Sequence, residues 1–162
     1  MKTLLSLLAL TIALCIVNPG ESCAVDTLDL DKAIKVGSGR IMVIEFTDPD
    51  CPYCRKAEEF FGKRTDVTRY VFLVPLPMHP EAPGKAQYIL SAPDAAKAYR
   101  DVMGGSLDGK TPQGITDKGK NLLEEHRQNA QKAGVNAMPT FIISGMIIEG
   151  LDMGRMKKVL PP

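Results

Sequence analysis

Short apolar runs that alternate with stretches of helical periodicity dominate this sequence. The runs Arg40–Thr47 and Tyr70–Val74 are almost unbroken, as is typical of central strands that are covered on both faces. Phe141–Ile143 and Met146–Glu149 flank the turn dipeptide Ser144-Gly145, so they predict a β-hairpin. A helical segment between the first two runs predicts a βαβ unit, in which the strands are parallel and the crossover is right-handed.

Helical spacing of apolar residues recurs through the rest of the chain. The predicted helices are Asp26–Val36, Arg55–Phe61, Gly84–Leu90, Asp94–Met103, Thr116–Ala133 and Asp152–Leu160. Residues 106–114 are rich in Gly, Pro and polar side chains and predict a loop. The order is therefore βαβ, a helical insert at about residues 78–134, and ββα. It predicts an α/β fold with a mixed sheet and helices on both faces.

The tetrapeptide Cys51-Pro52-Tyr53-Cys54 stands where the first strand passes into the crossover helix. Thiols at this spacing reach each other when the first caps a helix and the second lies one turn inside it. The capping thiol of Cys51 faces free backbone N–H groups and the positive end of the helix dipole, which favour the thiolate. Pro52 suits the first helical position, where no N–H is needed. This context predicts a redox-active pair that can form a Cys51–Cys54 disulfide.

The first 24 residues differ from the rest and predict a secretory signal peptide. A positive start at Lys2, the apolar run Leu4–Val17 and the small residues in Ser22-Cys23-Ala24 predict cleavage after the alanine. An uncleaved anchor is the alternative, but the run is short for a membrane-spanning helix. Residues 25–162 would then form one domain with a single cysteine pair. A bridge that closes so short a loop stabilises little, so its expected purpose in an exported protein is chemistry.

Composition and charge narrow the classes of partner. With 44% hydrophobic residues the chain can form a core, and its net charge of +1 indicates neither nucleic acid nor an anionic membrane surface as a partner. Structural zinc is another use of a Cys-x-x-Cys pair, but no second pair follows, and His79 and His126 lack ligand spacing. We expect His79 in a loop and His126 on a helix surface or partly buried. No cofactor or metal is expected beyond the redox-active pair.

The element order, with an X-Pro-Thr sequence opening the hairpin, resembles the thioredoxin fold. The chain is more closely similar to the catalytic domain of the periplasmic DsbC/DsbG-type thiol:disulfide interchange proteins. The matching segments are Phe46–Cys54, Ala98–Gly105 within the helical insert, and Gly134–Thr140 before the hairpin. The likeness covers roughly residues 40–160, which is most of the predicted domain.

The resemblance assigns roles to the residues of these segments. Cys51 would be the exposed attacking thiol and Cys54 the buried resolving thiol. Pro139 would be a cis-proline that faces the disulfide, and a cis X–Pro bond is uncommon enough to make this a sharp structural prediction. An ordinary trans proline at the start of a strand is the alternative. The residues expected to contact substrate are Pro52, Tyr53, Met138, Pro139 and Thr140.

The chain departs from that group before and after the cysteine helix. Only residues 25–50 would precede Cys51 after cleavage, which leaves no room for the N-terminal dimerisation domain of those proteins, so a monomer is expected. Ser91 and the Gln113-Gly114 region lack the cysteines of a second, structural disulfide that some members have. Isomerase activity is therefore less firmly implied than thiol:disulfide exchange itself.

Glu45 is a third departure. It lies six residues before Cys51, where, by the same resemblance, thioredoxin and DsbA-type proteins place a buried acid and DsbC/DsbG-type proteins usually have an apolar residue. If it is buried beneath the cysteine pair, its pKa is raised and it could relay the proton of Cys54. The alternative is a strand acid near the sheet edge that pairs with a lysine or arginine.

The resemblance implies a thiol:disulfide oxidoreductase of the isomerase or reductase type, with oxidase activity left open. Its substrates would be exported proteins that contain cysteines, its location the periplasm, and a membrane thiol electron donor would keep it reduced. No stable membrane insertion is expected after signal cleavage. The competing hypothesis is a non-catalytic chaperone or assembly factor that grips unfolded segments along the Met138-Pro139 edge.

Overall fold

A five-stranded mixed sheet forms the centre of the structure, a computed structural model that describes residues 27–160. The strands are β1 (Ile34–Gly37), β2 (Ile41–Thr47), β3 (Val67–Leu73), β4 (Thr140–Ile143) and β5 (Met146–Glu149). Their spatial order is β1-β3-β2-β4-β5, so β2 is the central strand. It pairs in parallel with β3, as the βαβ unit predicted, and antiparallel with β4, which in turn pairs antiparallel with β5 as the predicted hairpin. The predicted signal segment 1–24 lies outside the described residues.

Helices cover both faces of this sheet. They are α1 (Pro52–Phe61), α2 (Ala82–Ser91), α3 (Ala95–Met103), α4 (Asp117–Lys132) and α5 (Met153–Val159). On one face, α1 and α5 pack on Val43 and Phe141, and on the other α4 packs on Phe46 and Phe72. The insert between β3 and β4 holds α2, α3 and α4, which confirms the predicted α/β architecture. Within residues 27–160, no helix is long and apolar enough to cross a bilayer.

The segment that precedes β2 is where the prediction was wrong. We expected a helix over Asp26–Val36, whereas the described part of that segment forms a 3-10 helix at Leu30–Lys32 and then the edge strand β1. Burial alternates along β1, with Ile34 and Val36 buried and the residue after each exposed. The apolar spacing over residues 30–34 also fits a helix, and only antiparallel pairing with β3 selects the strand.

Strand β3 begins three residues before the run Tyr70–Val74 that predicted it. The run leaves out Thr68 and Arg69 because both are polar, yet both are buried. Arg69 is tolerated there because its guanidinium pairs with Glu45 of β2 at 2.9 Å and with Glu58 of α1 at 2.6 Å. Hydrophobic patterning treats an arginine as exposed, so it could not locate the start of this strand.

His126 of α4 is buried, so the expectation of a surface or partly buried histidine was wrong. The N–H of Leu73, at the end of β3, donates to its Nδ1 at 2.8 Å. Its Nε2 lies 2.8 Å from the carbonyl oxygen of Lys32, and since Nδ1 accepts, Nε2 carries the proton and donates. Burial lowers the pKa of His126 to about 4, which keeps the ring neutral at neutral pH.

Candidate active site

The two cysteines lie at the N-terminus of α1, where the chain leaves the central strand. Cys51 is the N-cap residue with extended backbone, and Pro52 occupies the first turn, as predicted. Cys54 follows one turn later and is completely buried, while Cys51 retains slight exposure. Both are free thiols in this structure. The expectation of an exposed Cys51 was therefore wrong, because the chain around the helix start leaves it only 4% exposed, but Cys51 is still the more accessible thiol and Cys54 the one behind it.

Cys54 is held in a dehydrated environment at the end of β2. The N–H of Asp48 donates to its Sγ at 3.4 Å. Burial raises the pKa of Cys54, and the Thr47 side chain and the Asp48 N–H oppose that rise. Because the thiol is strongly favoured here, Cys54 needs a proton acceptor before it can act as a nucleophile.

The loop before β4 faces the cysteine pair. The peptide bond between Met138 and Pro139 is cis, as the resemblance implied. The Met138 carbonyl oxygen lies 3.9 Å from Sγ of Cys51, which places this loop directly against the more accessible thiol. Thr140 opens β4, pairs with Phe46 of β2 and is buried, so it shapes this loop from within. The Thr140 hydroxyl donates to the Ala137 carbonyl at 2.7 Å.

Tyr53 and Pro52 form the exposed surface beside Cys51. Tyr53 is 60% exposed, among the highest values of the large apolar side chains in the described chain. Met78, on the loop after β3, is also largely exposed at 76%. Parallel strands end at the same edge of a sheet, so the β3–α2 loop and the cysteine loop after β2 are neighbours.

Asp48 joins these two loops through contacts that the sequence did not indicate. Its buried carboxylate accepts from the Asp50 N–H at 2.7 Å, the contact by which an aspartate side chain forms a turn. Its other oxygen accepts from the Leu76 N–H at 2.6 Å and lies 2.9 Å from Nδ1 of His79. His79 is a loop residue, as expected, but it also holds the β3–α2 loop against the cysteine loop.

Glu45 is buried in the central strand, beneath α1 and α3. Its carboxylate pairs with Arg69 at 2.9 Å and accepts from the Tyr99 hydroxyl at 3.2 Å. Burial raises the pKa of Glu45, and the guanidinium opposes that rise. Glu45 is therefore buried, as one expectation had it, and also paired with an arginine, as the alternative had it. The alternative placed this acid near the edge of the sheet, whereas β2 is the central strand. The relay of the Cys54 proton stays a prediction.

Comparison with known proteins assigns this arrangement to a family. Residues 28–151 match the model of the thioredoxin-like domain. The chain belongs to the thioredoxin-like family. The match spans the cysteine pair, the helical insert and the hairpin, so the predicted thioredoxin fold is confirmed.

Several relatives of this thioredoxin-like chain are named as disulfide interchange proteins. It is 38% identical to a disulfide interchange protein from Neisseria gonorrhoeae, with a TM-score of 0.68, over 82% of this chain and 95% of that one. It is 33% identical over 137 residues to the probable thiol:disulfide interchange protein DsbC of Bordetella avium, covering 83% of this chain and 45% of the relative. It is 28% identical over 104 residues to the thiol:disulfide interchange protein DsbG of Escherichia coli K12, covering 61% of this chain and 42% of the relative. The resemblance to DsbC/DsbG-type proteins is confirmed, and the chain spans less than half the length of these last two relatives.

Within the thioredoxin-like framework, the structure brings most of the predicted site residues together. Cys51, Cys54, Met138 and Pro139 converge at the end of β2, while Glu45, within β2, is paired with the buried Arg69. No three side chains of His, Cys, Asp or Glu in the described part of the chain converge as metal ligands. Five residues were not assigned to the site from the sequence, because their contacts join segments that lie far apart along the chain: Asp48, Arg55, His79, Lys85 and Asp108.

Proposed function

We propose that this protein is an exported thiol:disulfide oxidoreductase that exchanges disulfides with cysteine-containing proteins, of the isomerase or reductase type. One observation carries the proposal. Cys51 caps a helix with Cys54 one turn behind it, and a cis-proline loop contacts the capping thiol at 3.9 Å. The names of the relatives support the same class of reaction.

The exchange takes place in two steps that conserve electrons. The Cys51 thiolate attacks one sulfur of a substrate disulfide, forms a mixed disulfide and expels the other substrate sulfur as a thiolate. Cys54, once deprotonated, attacks Sγ of Cys51, which closes the Cys51–Cys54 disulfide and releases the second substrate thiolate. The substrate gains two electrons and the protein loses two. Run in reverse, the same steps oxidise a substrate dithiol.

The loop before β4 would align the substrate. An extended segment that lies along Met138 can exchange backbone hydrogen bonds with it, while its sulfur approaches Cys51 from the exposed side. Tyr53 and Pro52 would contact the flanking residues of the substrate. Thr140 would act indirectly, because it is buried and holds the loop in place.

The setting of the reaction follows from the predicted signal segment and the resemblance. We place the protein in the periplasm after removal of residues 1–24, where a membrane thiol donor would return the oxidised pair to the dithiol form. The protein would act as a monomer and would need no cofactor beyond its own cysteines. A low net charge of +1 is consistent with protein substrates of mixed charge.

The decisive experiment is equilibration of the purified protein with glutathione buffers, with Cys51→Ser and Cys54→Ser as matched variants. We expect a defined potential for the wild type and none for either variant. A potential of about −120 to −180 mV would indicate a pair fit to donate or shuffle disulfides, and a value near −270 mV a reductase. A wild-type pair that never exchanges with glutathione would defeat the proposal. Substrate capture that survives in the Cys51→Ser/Cys54→Ser double variant would favour the binding-module hypothesis.

A further inference from the structure

Four charged side chains from four separate segments meet beside the cysteine loop. Asp50 immediately precedes Cys51, Arg55 lies on α1, Lys85 on α2, and Asp108 on the loop after α3. Nζ of Lys85 lies 2.6 Å from Asp50 and 3.1 Å from Asp108. Arg55 makes a two-pronged contact with Asp108, both distances being 2.6 Å, and lies 3.3 Å from Asp50. We call these four residues the Asp50 network.

The burial of Lys85 shows that this network is more than a surface ion pair. Lys85 is only 2% exposed, a position that lysine rarely occupies unless it is paired. Burial by itself lowers the pKa of Lys85, but hydrogen bonds to Asp50 and Asp108 outweigh it and raise the pKa overall. The pKa of Asp108 is lowered, chiefly by its hydrogen bonds with Arg55. The network joins two basic and two acidic side chains, and the exposed Glu81 lies 3.4 Å from Lys85 at its edge.

The network touches the cysteine loop through both charge and backbone. Nε of Arg55 donates to the carbonyl of Pro49 at 2.8 Å, so the guanidinium holds the turn that precedes Cys51. The Asp50 carboxylate is one residue from Cys51, and without compensation its negative charge would oppose a thiolate there. The structure supplies two cations against that charge, Lys85 at 2.6 Å and Arg55 at 3.3 Å from Asp50.

We propose that Lys85 and Arg55 are positioning residues of the redox site, which neutralise Asp50 and so favour the thiolate of Cys51. Asp108 holds both cations in place, and in this way the helical insert takes part in tuning the cysteine pair. The inference rests on the proposed function. It concerns how strongly the dithiol form is favoured, and not which bonds are exchanged.

The test compares Lys85→Met, Asp50→Asn and the double variant. Removal of one of the two cations that contact Asp50 should lower the equilibrium constant for reduction of the pair by glutathione by roughly fivefold. The rate at which Cys51 is alkylated by iodoacetamide at neutral pH should fall in parallel. Asp50→Asn should shift both quantities the opposite way, and the double variant should return close to the wild type. Arg55→Gln, at a less buried position, should act in the same direction as Lys85→Met and replaces it if Lys85→Met does not fold.

Lys97→Met is the matched control, because it breaks the exposed Lys97–Asp101 pair on α3 without touching the cysteine loop. It should leave the glutathione equilibrium and the alkylation rate unchanged. If Lys85→Met and Arg55→Gln lower the melting temperature but leave both redox quantities at wild-type values, the network is structural and the inference is overturned. Failure of Asp50→Asn to restore the Lys85→Met values also overturns it. In either case a wild type that exchanges normally with glutathione leaves the proposed function standing.

Discussion

Two charged clusters flank the cysteine helix, and they differ mainly in their access to water. The interior cluster joins Glu45, Arg69 and Glu58, with the Glu45 and Arg69 side chains 0% and 4% exposed. In the Asp50 network, Lys85 is equally buried, at 3%, but Arg55 and Asp108 keep 24% and 48% of their side-chain surface. Water therefore reaches one side of the second cluster and is almost absent from the first. An unpartnered charge in the interior cluster is therefore costly to the fold, whereas the outer network can adjust the charge around a reactive thiol.

The physical reason is the cost of leaving a charge without a partner. Removing one member of a buried pair strands the other in a medium that solvates it poorly, and that cost falls on the folded state. Removing one of the partly exposed members of the Asp50 network, Arg55 or Asp108, lets water replace it, so the effect on stability is small. The effect on a neighbouring thiolate remains, because its charge still interacts with the unbalanced group.

The largest expected effect comes from breaking the interior cluster. Arg69→Met leaves Glu45 and Glu58 facing each other without a cation, and should lower the free energy of unfolding by about 3–5 kcal/mol. Urea denaturation at neutral pH measures it. The double variant Glu45→Met/Arg69→Met should regain part of the loss, because it removes the stranded carboxylate. A loss below about 1 kcal/mol for Arg69→Met would mean that the interior pair contributes no more than a surface pair.

His126 offers a second way to test the interior, this time through pH. The unfolded chain binds a proton to His126 near pH 6.5, but the folded chain does so only near pH 4. The contribution of the neutral His126 to the free energy of unfolding is therefore fully present above pH 6.5. It falls as the pH drops towards 4, where the free energy of unfolding is about 3 kcal/mol lower. Unfolding curves of the wild type and of His126→Gln across this range isolate the contribution from that of the carboxylates. Parallel pH profiles for the two proteins would contradict the prediction.

The variant Glu45→Gln tests whether the interior cluster also affects the rate of disulfide exchange. If Glu45 relays the proton of Cys54, the variant should stay folded but resolve a mixed disulfide at least roughly tenfold more slowly. Stopped-flow release of a thiol from a mixed disulfide on Cys51 measures that step. Glu58→Gln is the matched control, since it removes the other carboxylate at Arg69, and should leave the rate unchanged. Equal resolution rates in Glu45→Gln and the wild type would reject the relay and leave Glu45 a purely structural residue.

Local patterns along the chain were sufficient for much of the fold. The unbroken run of β2, the Ser144-Gly145 turn and the proline after Cys51 each specify their structure through neighbours in sequence. Where local and long-range preferences conflict, the prediction failed. Strand β1 overlaps a short apolar segment whose spacing also fits a helix. Only the pairing of β1 with β3 decides between strand and helix.

The sequence by itself determined the dithiol at a helix start, the helical insert and the hairpin that follows the cis-proline, since each depends on residues a few positions apart. Only the tertiary structure decided which charges meet. Glu45 pairs with Arg69 across 24 residues, Asp48 with His79 across 31, and Asp50 with Lys85 across 35. Such contacts leave no periodic signal, because a charged side chain reads as solvent-exposed until its partner is known. Burial and pairing arise together from packing, and they set the electrostatics around the cysteines.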